Sequence, residues 1–278
     1  MHSTKENQLN LSSLSPKSIT PYLSTLLGKG KYVYDQKPIE KGGVIVTITQ
    51  TPITDSNIQS LVDTWISTPS SPEFTDSNNS PYYGNISNWD VSQVTDMEDL
   101  FKDKTTFNDD ISNWDIGNVL TTKRMFVNTD NFNQDIGNWD TSNITDMLGM
   151  FVNAISFNQD IGGWNVSSVI EMGAMFDGAT SFNQNINSWN VSNVTNMGDM
   201  FNDATSFNQP LGNWDVSNVD NMSNMFLLAS SFNQDIGDWD VSSTTDMVFM
   251  FREATLFNQD IGDWDVSNVT RMEYMLQD

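Results

Sequence analysis

Residues 182–206 read F-N-Q-N-I-N-S-W-N-V-S-N-V-T-N-M-G-D-M-F-N-D-A-T-S, and residues 232–256 read F-N-Q-D-I-G-D-W-D-V-S-S-T-T-D-M-V-F-M-F-R-E-A-T-L. Self-similarity of this kind decides the architecture before any local propensity is weighed. Tryptophan fixes the period at 25, through Trp89, Trp114, Trp139, Trp164, Trp189, Trp214, Trp239 and Trp264. Two phenylalanine columns keep step, one from Phe101 to Phe251 and one from Phe107 to Phe257, and a methionine column runs from Met125 to Met275. No insertion interrupts the count. The unit is F-N-Q-D-I-G-N-W-D-V-S-N-V-T-D-M-x-x-M-F-x-x-A-T-S.

Within one unit the apolar residues are Ile86, Trp89, Val91, Val94, Met97, Leu100, Phe101 and Phe107. The two-residue step from Trp89 to Val91 is strand alternation, with Asp90 pointing the other way. The later steps of three and four, through Met97, Leu100 and Phe101, suit a short helical or 3₁₀ turn. A coil of one strand and one turn is too thin to bury its own apolar face, so neighbouring coils must bury it by stacking. The expected fold is therefore a β-solenoid of leucine-rich-repeat type. It has one parallel strand and one short helical turn per 25-residue coil, and eight coils at strand spacing span about 40 Å.

Ile-x-x-Trp-x-Val matches the L-x-x-L-x-L spacing of leucine-rich repeats. The segment that follows, Val-x-x-Met through Met-Phe-x-x-Ala, resembles the variant in BspA-like surface proteins. W-D-V-S-N-V-T-D-M resembles the 25-residue repeat of mycoplasma lipoproteins, a repeat type also found in marine bacteria, protists and large DNA viruses. The resemblance spans residues 85–278 and implies a right-handed parallel-β solenoid used in adhesion or protein contact. The chain departs from that family in lacking a signal peptide and a lipidation cysteine.

Residues 85–278 form the eight-repeat solenoid, and residues 54–84 a capping helix and loop. Ile58, Leu61, Val62, Trp65 and Ile66 make an amphipathic stripe, with Asp55 or Ser56 as N-cap and Pro69 and Pro72 beyond the end. Trp65 is expected to pack over the first coil, and residues 67–84 read as a loop. Residues 29–53 read as a short β-hairpin, with strands at Lys31–Asp35 and Gly43–Gln50. Residues 1–28 read as a flexible basic arm. The last coil ends at Leu276-Gln277-Asp278 without a capping helix, so its edge is expected to dock on another subunit or protein, or to be covered by further chain.

The net charge is −24, yet residues 1–50 carry six Lys against three acidic residues, leaving 6 basic and 33 acidic residues in the remainder. An acidic body is a poor match for phosphate, so nucleic acid is not an expected partner. There is no cysteine, which removes disulfides, thiolate metal sites and a cysteine nucleophile. The N-terminus lacks the apolar run of a signal peptide, and no stretch is apolar enough to span a membrane. The chain is thus expected to be soluble, and intracellular or virion-associated rather than on a cell surface.

The one histidine is His2, so neither a Ser-His-Asp triad nor a histidine metal site can be assembled. No phosphate-binding glycine loop is present. Carboxylates abound, but they recur in columns, and periodic residues are more often structural than catalytic. The expectation is a non-enzyme with no cofactor and no dedicated metal site.

Two polar columns remain. The outward position beside the tryptophan carries Asp90, Asp115, Asp140, Asn165, Asn190, Asp215, Asp240 and Asp265. Its six aspartates, Asp90, Asp115, Asp140, Asp215, Asp240 and Asp265, are the candidate partner-binding residues, as an acidic strip that could also attract Ca²⁺. The favoured alternative has each carboxylate accepting backbone N–H bonds from the neighbouring coil. The second column, Asn108 to Asn258, follows a core phenylalanine and is expected to form a hydrogen-bonded asparagine ladder. Asn-x-Ser/Thr sequons such as Asn143, Asn190 and Asn268 are by-products of the repeat. The functional expectation is a repeat scaffold joining other proteins, with self-association and a large virus particle as one setting, or alternatively a surface adhesin. Ice binding needs a regular Thr array, and the column Thr95, Leu120, Thr145, Ile170, Thr195, Asp220, Thr245, Thr270 is too interrupted for it.

Overall fold

The computed structural model describes residues 40–41, 44–45, 51–75 and 82–277. The chain divides into two compact units, one of residues 1–51 and 70–84 and the other of residues 52–69 and 85–278. In the first unit, β1 (Glu40–Lys41) pairs antiparallel with β2 (Val44–Ile45). β1 lies in the stretch expected to be the hairpin's connecting turn, and β2 lies inside the expected strand Gly43–Gln50. The expected strand Lys31–Asp35, the arm 1–28 and residues 76–81 lie outside the described residues. Within the expected loop a short helix forms at Pro72–Thr75, where proline at the first helical position loses no hydrogen bond.

The second unit is the repeat stack and its cap. Each coil is a succession of three-residue turns. Trp114 N–H bonds to Ile111 C=O, Val119 N–H to Ile116 C=O, and Met125 N–H to Thr122 C=O. The Trp–Val step, expected as the strand, carries no strand pairing. Parallel bridges form one residue per coil instead, along Asp96, Thr121, Asp146, Glu171, Asn196, Asn221, Asp246 and Arg271.

Just beyond that column the coils bond through four backbone amides. Thr122, Arg124, Phe126 and Asn128 donate to the carbonyls of Asp146, Leu148, Met150 and Val152, at 2.8–3.1 Å. In Met-x-x-Met-Phe-x-x-Ala the second x of each pair holds a left-handed backbone. One column runs Asp99, Arg124, Gly149, Ala174, Asp199, Asn224, Phe249, Tyr274, and the other Asp103, Asn128, Asn153, Gly178, Asp203, Leu228, Glu253; φ is +50° to +67° throughout. Every second amide of the segment turns to the next coil while those between close turns within the coil, so one edge carries donors and the other acceptors. Gly178 illustrates the constraint, because a Cβ there would meet Asn153 Oδ1 at 2.2 Å.

The core is aromatic and continuous. Phe126, Phe132, Phe151, Phe157, Phe176 and Phe182 have no solvent exposure. Within a coil the two phenylalanines stack at about 4 Å, as for Phe176 and Phe182 at 3.9 Å, and successive tryptophans stack at 6.3–6.5 Å. Each buried ring contributes roughly 1.5–3 kcal/mol. From Trp114 to Trp264 each indole N–H also reaches back one coil, as Trp189 Nε1 does to Ile161 C=O at 3.1 Å.

The first coil is covered by α1 (Ile58–Ser67), which buries Ile58 and Val62. Asp55 is not its N-cap. Asn57 precedes the helix without a side-chain capping bond, and Asp55 instead accepts the N–H groups of Thr95 and Asp96, at 2.7 and 3.1 Å, and the Thr95 hydroxyl. The reason lies in the stack: in the next coil Leu120 N–H bonds to Thr95 C=O at 2.8 Å, and no coil precedes Thr95. The Asp55 carboxylate takes the place of the missing carbonyl. Gln59 Nε2 supplies the opposite need by donating to Leu100 C=O at 3.3 Å. Trp65 meets Trp89 edge-on at 6.3 Å and donates to Asp109. In the last coil Val266, Met272, Tyr274 and Leu276 are 39–64 % exposed, where Val91 in the first is fully buried.

Candidate functional site

The six outward aspartates are all exposed, but their carboxylates are engaged within their own coil. Asp90, Asp140 and Asp215 accept both N–H and O–H of the serine two residues on, at 2.6–3.1 Å. Asp240 and Asp265 accept the N–H of Ser242 and Ser267, and Asp115 the N–H of Gly117 at 3.4 Å. This is the Asx turn, in which a short side chain completes a local bend. Asn165 and Asn190 make the same bonds to Ser167 and Ser192, so the turn needs an oxygen acceptor and not a charge. The serine hydroxyl and N–H hold Asp140, Asp240 and Asp265 below the ordinary carboxylate range. The acceptor bonds come from the same coil, not from the neighbouring one as the sequence suggested.

The asparagine column is a ladder between coils. Asn133, Asn158, Asn183, Asn208, Asn233 and Asn258 each donate their backbone N–H to Oδ1 of the asparagine one coil earlier, at 2.9–3.0 Å. The adjoining glutamine side chains, from Gln134 to Gln259, donate to the same oxygens. An open depression of about 440 Å³ near this ladder is lined by Asp160, Gly162, Gly163, Asn185, Asn187, Ser188 and Asn213. It contains one titratable group, Asp160.

A third region was not singled out in the sequence. The two x-x pairs of the repeat lie on the outer side of the left-handed segment, where residues differ from coil to coil. On the early coils this face pairs its own charges. Arg124 grips Asp99 through Nε and Nη2 at 2.9 and 2.6 Å and also reaches Glu98, while Lys102 and Lys123 complete the cluster. The Arg124 guanidinium holds Asp99 below its ordinary value. On the middle coils the same columns carry Asp177, Asp199 and Asp203 beside Gly173, Ala174, Gly178 and Gly198, and among the described residues no ion pair involves these three carboxylates. Burial, then repulsion from Asp199 and Asp203, pushes Asp177 up to about 6, against a hydrogen bond from Asn202. Burial also raises Asp199, which accepts a bond from Asn224. Asn202 Oδ1 is buried without a hydrogen-bond partner. The sequence signal for this face was the x-x variability itself, set against an otherwise invariant unit.

Among the described residues no group of three or more His, Asp or Glu side chains converges as a metal site, and no helix is long and apolar enough to cross a membrane. Stacked 25-residue coils with a constant frame define a tandem-repeat protein. The family model described as a Mycoplasma protein of unknown function, DUF285, matches residues 73–147, 129–232 and 210–278. The chain belongs to that family. Comparison with curated proteins and with solved structures found no match.

Proposed function

We propose that the chain is a non-enzymatic scaffold that binds other proteins and joins them in an assembly. One observation carries this reading. The invariant columns of the repeat are consumed by internal bonds, whereas the x-x columns vary from coil to coil on one continuous face. A rigid frame presenting a variable strip is the arrangement by which repeat proteins recognise partners. The parallel bridges and the I-x-x-W-x-V spacing support reading the stack as a leucine-rich-repeat-type β-solenoid of the BspA-like kind. Its acidity favours proteins over nucleic acid as partners. The distribution of the repeat type supports an intracellular or virion setting as the first reading; surface adhesion is the second, favoured by the W-D-V-S-N-V-T-D-M motif. Affinity capture from the native source, with the full chain as bait and a charge-matched unrelated acidic protein as control, tests the proposal. A defined partner retained at ~150 mM salt, where surface charge is screened beyond about 8 Å, is the expected result. Capture of the same proteins by the control would overturn it.

A further inference from the structure

The three middle carboxylates lack what the early coils supply for themselves. Columns holding Asp99 and Arg124 in the first two coils hold Asp199 and Asn224 further along, with the same left-handed backbone (φ 59° and 54° against 59° and 57°). The first pair is a bidentate carboxylate–guanidinium contact, the strong form of this interaction. In the second pair an asparagine stands where the guanidinium would be, and Asp177 and Asp203 add two more charges beside it. The glycines and Ala174 leave little side-chain bulk over this stretch. Leu227 and Leu228, the latter 37 % exposed, border it on the following coil.

Resting on the scaffold reading, we propose that this middle face, around Asp177, Asp199 and Asp203, docks an arginine carried on a basic and apolar segment of a partner protein. The guanidinium takes the place Arg124 occupies on Asp99, and the partner's apolar residues rest on Leu227 and Leu228. Two observations favour an organic cation over a metal ion. The carboxylates do not converge as a metal site, and the same columns bind a guanidinium elsewhere in this chain. Partial burial of Asp177 and Asp199 raises the cost of leaving them unpaired, so a partner cation gains more here than at a fully solvated aspartate.

The test uses a fluorescein-labelled peptide alternating arginine with leucine, titrated into the full chain at ~150 mM salt. Replacing Asp177, Asp199 and Asp203 by Asn should weaken binding about tenfold. A charge-matched variant, with Asp135, Asp235 and Asp260 replaced by Asn, should stay within about twofold of the parent, because those carboxylates lie in another column where Asn185 already stands. Asn224→Arg provides a variant expected to fold better, since its guanidinium can pair with Asp199 in cis; it should raise Tm and weaken the peptide by a similar factor. Equal losses in the two triple variants would reduce the effect to general acidity and overturn the proposal. So would an Asn224→Arg protein with raised Tm and unchanged affinity, an outcome that decides the matter even if the first triple variant unfolds. If the native partner is captured equally by all variants, the docking face is wrong and the scaffold reading stands. Failure to capture any specific partner removes the scaffold reading itself.

Discussion

Trp189 sits mid-stack, 3 % exposed, between Trp164 at 6.4 Å and Trp214 at 6.5 Å, with Phe176 alongside at 6.4 Å. Truncation to alanine removes the ring and leaves a cavity, which costs about 3–5 kcal/mol. It also removes one of two bonds to the Ile161 carbonyl, which keeps the Trp164 N–H; losing a buried hydrogen bond adds about 1 kcal/mol. The expected total for Trp189→Ala is about 4–6 kcal/mol. Trp189→Phe separates the contributions, because it keeps most of the ring and removes the donor, with an expected cost of about 1–1.5 kcal/mol. Urea denaturation followed by circular dichroism gives the totals. Hydrogen exchange at Met172, Ala174 and Phe176, whose amides bond to the next coil, reports whether the damage stays local, as expected of a one-dimensional stack. A Trp189→Phe protein within about 0.5 kcal/mol of the parent would refute the view that the indole bond holds neighbouring coils together.

Asp55→Ala should fray the first coil at a cost of about 1–2 kcal/mol, comparable to losing a helix cap, with exchange rising at Thr95 and Asp96 while the central coils stay protected. The Asp55 carboxyl is raised by burial, but its bonds from Thr95 and Asp96 prevail and hold it below its ordinary value; its contribution is therefore present at neutral pH and lost as pH falls through that lowered value. Asp177 has the opposite sign. Its folded value of about 6 lies above the ordinary 3.8, so stability should rise as pH drops from 7 towards 4 and level off below. The shift is worth ~3 kcal/mol unscreened and roughly 1–2 kcal/mol for a partly solvated group, and Asp177→Asn should flatten this rise in a Tm-against-pH profile. Replacing Asp115, Asp140 and Asp215 by Asn should move Tm by only a degree or two, as expected for exposed sites with small free-energy effects; a drop of ten degrees would mean that the charge matters to those turns.

The period, the buried columns and the helix over the first coil were legible because tryptophan, phenylalanine and methionine repeat without a gap. Where the coils bond to one another was not. Spacings of three and four in Met97, Leu100 and Phe101 suit a helical turn and equally suit tight turns with a left-handed residue at every fourth position, since both place the same side chains inward. A finer signal was present in Asp99, Gly149, Asp199 and Asn224, and in Asp103, Asn128, Asn153, Gly178 and Asp203. These are the residue types that tolerate positive φ, gathered at two fixed positions of the unit. Arg124, Phe249, Tyr274 and Leu228 in the same columns blur it, and show the stack imposing the conformation on residues that would not choose it. The aspartates beside the tryptophans drew attention as a charged strip, whereas Asn165 and Asn190, making the same turn, mark them as turn residues first.

Four amides of each coil donate to the next coil, and one column, from Leu120 to Thr270, donates the other way. Met97 donates to Thr121, and the peptide unit joining Thr121 to Thr122 passes the bond on to Asp146; Met147, Met172, Met197, Met222 and Met247 continue it to Arg271. Three parallel chains begin at Asp99, Phe101 and Asp103 and end at Glu273, Met275 and Gln277. Each peptide carries a dipole of about 3.5 D, and here four per coil add along the stack against the one column that opposes them, instead of cancelling as strand dipoles do in ordinary sheets. The repeat unit is therefore an electrical object with a positive pole towards the last coil and a negative pole beneath the helix of the first. Bonds in series polarise one another, so removing one coil from the middle should weaken junctions it never touched.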